Sequence, residues 1–121
     1  MLLSLVAAAI LAGCGSRAEH IAVLTPIEGG DADVGRAALS AYGCSTCHTI
    51  PGVTGANGRV APSLEGFGRR AYIGGATPNT PEHLVQWIMD PKSISPNTLM
   101  PNLNVGEDVA RDIAAYLQTL R

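Results

Sequence analysis

The segment Cys44-Ser45-Thr46-Cys47-His48 sets two thiols three positions apart, with an imidazole directly after the second. This is the C-x-x-C-H attachment pattern of a c-type haem. Each cysteine sulfur can form a thioether to a porphyrin vinyl group, which holds the following histidine against the iron as an axial ligand. Residues three apart on one turn of helix share a face. Cys44 and Cys47 can therefore reach one edge of a planar ring while His48 points across it.

Iron held by one protein ligand keeps one face open. The second ligand is expected to be Met100, in Pro96-Asn97-Thr98-Leu99-Met100-Pro101-Asn102. Pro96 and Pro101 bracket it and restrict the backbone. A thioether is a soft ligand that favours reduced iron, so His/Met ligation raises the reduction potential. Met89 lies inside a helical pattern and is read as packing. His20, in the N-terminal stretch, and His83, near a helix start, are read as solvated or capping residues.

These residues need elements to position them. A first helix is expected from Asp31, an N-cap type, with Asp33 in its first turn. It runs through Val34, Ala38, Leu39 and Tyr42 into the haem motif. Gly35 in its interior costs about 1 kcal/mol, which close approach of another helix would offset. From Ile50 to Thr80 the glycines and prolines are too dense for long regular elements. Such a stretch is unusual in a compact domain, unless its loops pack on a haem. Thr80-Pro81-Glu82 opens a second helix with Leu84, Trp87 and Ile88 on its apolar face, and Pro91 stops it. A last helix is expected from about Gly106 to Leu120, with Val109, Ile113, Tyr116, Leu117 and Leu120 at helical spacing. No strand alternation and no internal repeat is visible.

The bulk properties set outer limits. A chain of 121 residues is enough for one domain plus a short extension. A formal charge of -2 argues against nucleic acid as a partner. Aromatic residues make up only 4%, which fits a core completed by a large flat cofactor. Between Cys44 and Met100, Arg59, Arg69, Arg70 and Lys92 oppose Glu65, Glu82 and Asp90, a balance that haem propionates would turn negative. Strong steering toward an acidic partner is not expected.

The third cysteine, Cys14, ends Leu11-Ala12-Gly13-Cys14 after an apolar run from Leu2 to Ala12. The run is too short to span a bilayer and has the length of a signal-peptide core. Leu-Ala-Gly-Cys resembles the bacterial lipobox, whose cysteine is lipidated; here no Lys or Arg precedes the run. The expected organisation is a lipoprotein-type signal over 1–13, a tether over 14–30 beginning at lipidated Cys14, and a monohaem domain over 31–121. The protein is then exported and anchored on the periplasmic side of a bacterial membrane.

With these residues in hand, the chain from about Asp33 to Arg121 resembles a class I, mitochondrial-type c-type cytochrome of the small bacterial monohaem kind. The haem motif, Ala61-Pro62-Ser63-Leu64-Glu65-Gly66, Asp90-Pro91-Lys92, the Met100 loop and the C-terminal helix occur in family order. The resemblance implies an all-α cytochrome c fold, about three to four helices with Gly/Pro-rich loops around one covalent haem c. It implies that the Pro62 carbonyl accepts a hydrogen bond from His48, and that Arg69 or Arg70 pairs with a haem propionate. It also places the Thr98 hydroxyl near a propionate, and Gly35 and Tyr116 between the first and last helices. Trp87 stands where relatives often carry a tyrosine near the methionine, replacing a phenol with an indole N–H donor.

Three functions compete. A one-electron carrier needs iron that stays six-coordinate between His48 and Met100 and takes no small-molecule substrate. Its partner would be a membrane respiratory complex, such as a terminal oxidase or dehydrogenase, or another redox protein. A haem enzyme or gas sensor of peroxidase-like kind needs a labile Met100 and a polar distal group, and no histidine neighbours the Met100 segment. A zinc site needs about four ligands, and a thioredoxin-like C-x-x-C sits near a βαβ pattern that is absent. The electron carrier is the expected function.

Overall fold

A computed structural model describes residues 26–121. The expected signal segment, Cys14, His20 and the tether as far as residue 25 lie outside the described residues.

Among the described residues four helices carry the fold: α1 (Ala32–Ala41), α2 (Pro81–Met89), α3 (Pro91–Ile94) and α4 (Glu107–Thr119). Asp31 caps α1 as its carboxylate accepts from the backbone N–H groups of Asp33 and Val34. These are two of the donors that a helix start leaves unpaired. The α1 face carrying Gly35, Ala38 and Leu39 is buried, and its main partner is α4. A Cβ on Gly35 would collide with the carbonyl of Asp112 and come within 2.8 Å of the Ile113 nitrogen. The two backbones therefore cross where only hydrogen fits between them. α4 answers with Ala110, Ile113, Ala114 and Leu117, all buried on one side.

The helix α1 does not continue into the haem motif. It ends at Ala41, Gly43 adopts a left-handed φ of 75°, and Cys44–Thr46 form a single 3-10 turn. Glycine takes that conformation without a Cβ clash, and the reversal lets the motif leave the α1 axis. Cys44 and Cys47 remain one turn apart, since the N–H groups of Cys47 and His48 both donate to the Cys44 carbonyl, at 3.2 and 3.0 Å.

Between the motif and α2, order comes from short pieces. A 3-10 turn at Phe67–Arg69 is followed by the two-residue strands β1 (Tyr72–Ile73) and β2 (Thr77–Pro78), which pair antiparallel. This hairpin corrects the expectation of no strand; two-residue ladders are too short to show alternation. The Gly68 N–H donates to the Leu120 carbonyl at 2.8 Å, tying the 67–69 turn to the end of α4.

Thr80 caps α2 by accepting from the His83 N–H at 3.3 Å, with Pro81 in the first turn. The buried residues of α2 are Leu84, Val85 and Ile88, while Trp87 is half-buried. The apolar face is thus wider than expected by Val85. Pro91 both ends α2 and begins α3, since proline suits a first helical position. The Glu82 carboxyl is held below its ordinary value by its own backbone N–H and then by the Thr80 hydroxyl. A lowered carboxylate pKa gives stability above the ordinary value that is lost as pH falls through the folded one. Thr80→Ala is expected to lower holoprotein stability by about 1 kcal/mol near neutral pH, with a smaller loss in acid. Urea unfolding at two pH values checks both.

Residues just before Asp31 also contact the helical frame. Ile27 is a core residue, Asp31 N–H donates to the Asp112 carboxylate at 2.7 Å, and Arg111 donates to the Glu28 carbonyl at 3.3 Å. A lone apolar residue among Pro26, Gly29 and Gly30 carries no periodic signal, so residues 26–30 read as tether although they pack on α4. Among the described residues, no helix is long and apolar enough to cross a membrane.

Candidate functional site

One cleft gathers the chemistry. Its walls include Cys44 and His48 from the motif, and Met100, Leu103 and Val105 from the segment between α3 and α4. Leu39 comes from α1; Leu84, Trp87 and Ile88 from α2; Ile113 and Leu117 from α4. Leu64 and Phe67 complete it from the Gly/Pro-rich stretch. The enclosed space is only about 70 Å³, below the roughly 300–1,000 Å³ usual for cofactor clefts, so the lining and not the volume marks the site. Apolar walls around one imidazole and one thioether suit a flat hydrophobic ring whose metal takes a nitrogen and a sulfur ligand. A roomier hollow beside Glu28, Glu82, Glu107 and Arg111 holds no thiol or imidazole, so its lining cannot attach a porphyrin.

His48 is held from outside the cleft. Its Nδ1 lies 2.7 Å from the Pro62 carbonyl oxygen. A carbonyl only accepts, so Nδ1 carries the proton and Nε2 keeps its lone pair for a metal. Three contacts place Pro62. Ala61 N–H donates to the Cys47 carbonyl at 2.9 Å and Leu64 N–H to the Thr49 carbonyl at 2.8 Å. The Thr49 hydroxyl donates to the Gly58 carbonyl at 2.9 Å. Gly58 is the residue that permits this: a Cβ there would stand 2.5 Å from the Cys47 carbonyl carbon and 2.7 Å from the His48 nitrogen. In the sequence Gly58 was one loop glycine among many, and nothing marked its role.

Met100 is half-buried, and its N–H donates to the Thr98 hydroxyl at 3.3 Å. Thr98 is likewise half-buried and its N–H donates to the Ser95 carbonyl at 3.0 Å, so Pro96 to Met100 form a tethered loop. Trp87 lines the same cleft as Met100. Met89, by contrast, lies on the far side of α2, outside the cleft. His83 also stays outside, its Nδ1 3.1 Å from the Pro78 carbonyl oxygen.

The arginines differ in their surroundings. Arg69 is exposed, whereas Arg70 is half-buried. The Arg70 guanidinium donates to the Ser63 carbonyl and, at 3.2 Å, to that of Glu65. It also stands 5.4 Å from the centre of the Phe67 ring, which lines the cleft. Asn79, which no sequence signal had marked, braces this region. Its side-chain N–H groups donate to the carbonyls of Phe67 and Arg70 at 3.3 and 3.0 Å.

Burial pushes the Cys44 thiol up, against a smaller downward pull from its own backbone hydrogen bond. An attacking thiol of a disulfide exchanger needs the opposite shift. Among the described residues, no group of three or more His, Cys, Asp and Glu could hold a metal ion.

The order of these parts and the helical frame around them define a small c-type haem protein. The chain belongs to the cytochrome c family: the family model for cytochrome c matches residues 32–121. Membership brings covalently bound haem c and one-electron transfer. Two curated relatives are cytochrome c oxidase subunit 2 proteins. The one from Alkalihalophilus pseudofirmus is 33% identical over 91 residues, covering 74% of this chain and 26% of the relative. The one from Bacillus sp. (strain PS3) is 30% identical over 82 residues, covering 64% and 23%. The chain thus spans about a quarter of the length of these relatives.

Proposed function

We propose that this cytochrome carries single electrons with its haem iron held between His48 and Met100, and that it serves a membrane respiratory complex. The observation that carries the ligation is the His48–Pro62 hydrogen bond at 2.7 Å, which leaves Nε2 free to ligate in a cleft that Met100 also lines. When bound, the haem supplies a ferric/ferrous couple. The chain's residues hold that couple steady. His48 is fixed in tautomer and orientation, the Met100 loop is tied through Thr98, and the apolar walls exclude water. A site that rearranges little between redox states exchanges electrons with little reorganisation.

Arg70 is the residue assigned to a haem propionate. Its guanidinium is already ordered beside Phe67, and a carboxylate buried without a partner would be costly. Thr98 would donate its hydroxyl proton to a propionate while its oxygen accepts from Met100 N–H. The partner class follows from the relatives' names, both oxidase subunits. Leu99 and Val60, beside Met100 and near Pro62 in sequence, are 98% and 82% exposed, which suits contact with a partner protein.

Lipidation of Cys14 and residence on the periplasmic side of a bacterial membrane complete the proposal. Tethering raises the effective concentration near a membrane partner. Two measurements test it. Stopped-flow mixing should show rapid, reversible single-electron exchange without turnover of peroxide; peroxidase turnover by the native protein would contradict it. Mass spectrometry of the membrane-extracted protein should find a diacylglyceryl group on Cys14, and a mature form starting elsewhere would remove the anchor.

A further inference from the structure

The β1–β2 hairpin turns at Gly74 and Gly75, with φ of 55° and 69°. Ala76 N–H donates back to the Ile73 carbonyl at 2.9 Å. Positive φ at both central positions suits glycine and strains other residues. The surroundings of the two glycines differ. A Cβ on Gly75 would meet nothing within 4 Å, whereas one on Gly74 would lie 2.6 Å from Trp87 Cη2, 2.9 Å from Cζ2 and 3.3 Å from Cζ3. The hairpin backbone therefore rests on the six-membered ring of the indole. That indole lines the haem cleft together with Met100. Its helix is fixed by buried Leu84 and Ile88 on either side in sequence, so pressure on the ring is taken up by the Trp87 side chain.

We infer that Gly74 is a positioning residue for the Met100 side of the haem, acting through Trp87: the bare backbone of the hairpin sets how far the indole stands into the cleft. The inference rests on His48/Met100 ligation. A methyl group at position 74 drives the indole off its rotamer toward the cleft, where it competes with the Met100 loop for room. A methyl group at position 75 adds the same left-handed backbone strain and no such push.

The test compares the holoprotein of the native chain with Gly74→Ala, Gly75→Ala, Trp87→Phe and Gly74→Ala/Trp87→Phe. The long-wavelength charge-transfer band of sulfur-ligated ferric haem must first be seen in the native protein; its absence there refutes Met ligation itself. With the band present, Gly74→Ala should weaken it and lower the reduction potential. Carbon monoxide should bind the reduced form about tenfold faster, the factor that off-rotamer strain delivers. Gly75→Ala should leave all three readouts near native. Phenylalanine has no atoms at the reach of Cζ2 and Cη2, so Gly74→Ala in the Trp87→Phe background should change little relative to Trp87→Phe alone. Equal readouts for the two alanine variants, or an effect of Gly74→Ala that persists undiminished in the Trp87→Phe background, overturn the inference. If Gly74→Ala yields no holoprotein, recovery in the double variant supports it. Failure of both, with Gly75→Ala intact, rejects it.

Discussion

Met100→Ala is expected to abolish the long-wavelength charge-transfer band of the ferric protein and to open the iron to carbon monoxide. The midpoint potential should fall by on the order of 100–300 mV, within the ~0.8 V range that axial ligation commands. The sign follows from the ligand. A thioether stabilises reduced iron relative to oxidised iron, and its loss leaves water or a weaker donor in place. The fold should survive, because Met100 is half-buried in a loop and contributes little to the helix packing. Redox titration with parallel circular dichroism separates the two effects. A potential unchanged within error would mean that some other group takes the sixth position. Met89 and His83 are poor candidates, since neither lines the cleft.

The largest expected loss of stability comes from Gly35→Ala. A methyl group there would meet the carbonyl of Asp112, which is backbone and cannot swing aside as a flexible side chain would. Either α1 and α4 separate or one of them bends. Overpacking of this kind costs about 3 kcal/mol, against about 1 kcal/mol gained in helix propensity. The net loss of about 2 kcal/mol or more should appear as a lower urea midpoint of the holoprotein, with the slope unchanged. The change also reaches the site, because Leu39 on α1 and Ile113 on α4 line the cleft on either side of this crossing. An equal or higher midpoint would show that the helix crossing tolerates a wider spacing.

Much of the frame was legible because the residues that start its helices act locally. Asp31 and Thr80 accept from backbone N–H groups within their own first turns, and the ring of Pro81 fixes its own φ near the helical value. Apolar residues of α4 recur at helical spacing, and Ile113 and Leu117 among them are buried. Gly35 also declared itself, since a glycine inside a helix needs a reason and the α4 backbone supplies one. Two residues of the cleft were marked by chemistry: C-x-x-C-H has a specific spacing, and Pro96 and Pro101 restrict the loop that holds Met100.

What stayed hidden depends on contacts between distant residues. The Glu28 carbonyl accepts from Arg111, 83 positions away on α4, a pairing no window of sequence can register. That Arg70, and not Arg69, donates to the Ser63 and Glu65 carbonyls depends on the fold of the 67–69 turn. Asn79 precedes the Thr80 cap, and its amide serves Phe67 and Arg70, two residues far from it in sequence. The haem motif itself was expected as a continuation of α1. The left-handed Gly43 instead ends the helix and passes the motif to a 3-10 turn, which keeps the cysteine spacing by a different hydrogen-bond pattern. Gly74 and Gly75 look alike in sequence, and only the position of the Trp87 ring tells them apart.

The most direct measurement is an optical spectrum of the purified, matured protein in both redox states, followed by denaturation and solvent extraction. The account predicts haem that stays with the polypeptide through extraction, a ferric charge-transfer band from the Met100 sulfur, and a ferrous form slow to bind carbon monoxide. Colourless protein from cells competent in haem attachment, or a ferrous form that binds carbon monoxide at once, would contradict it.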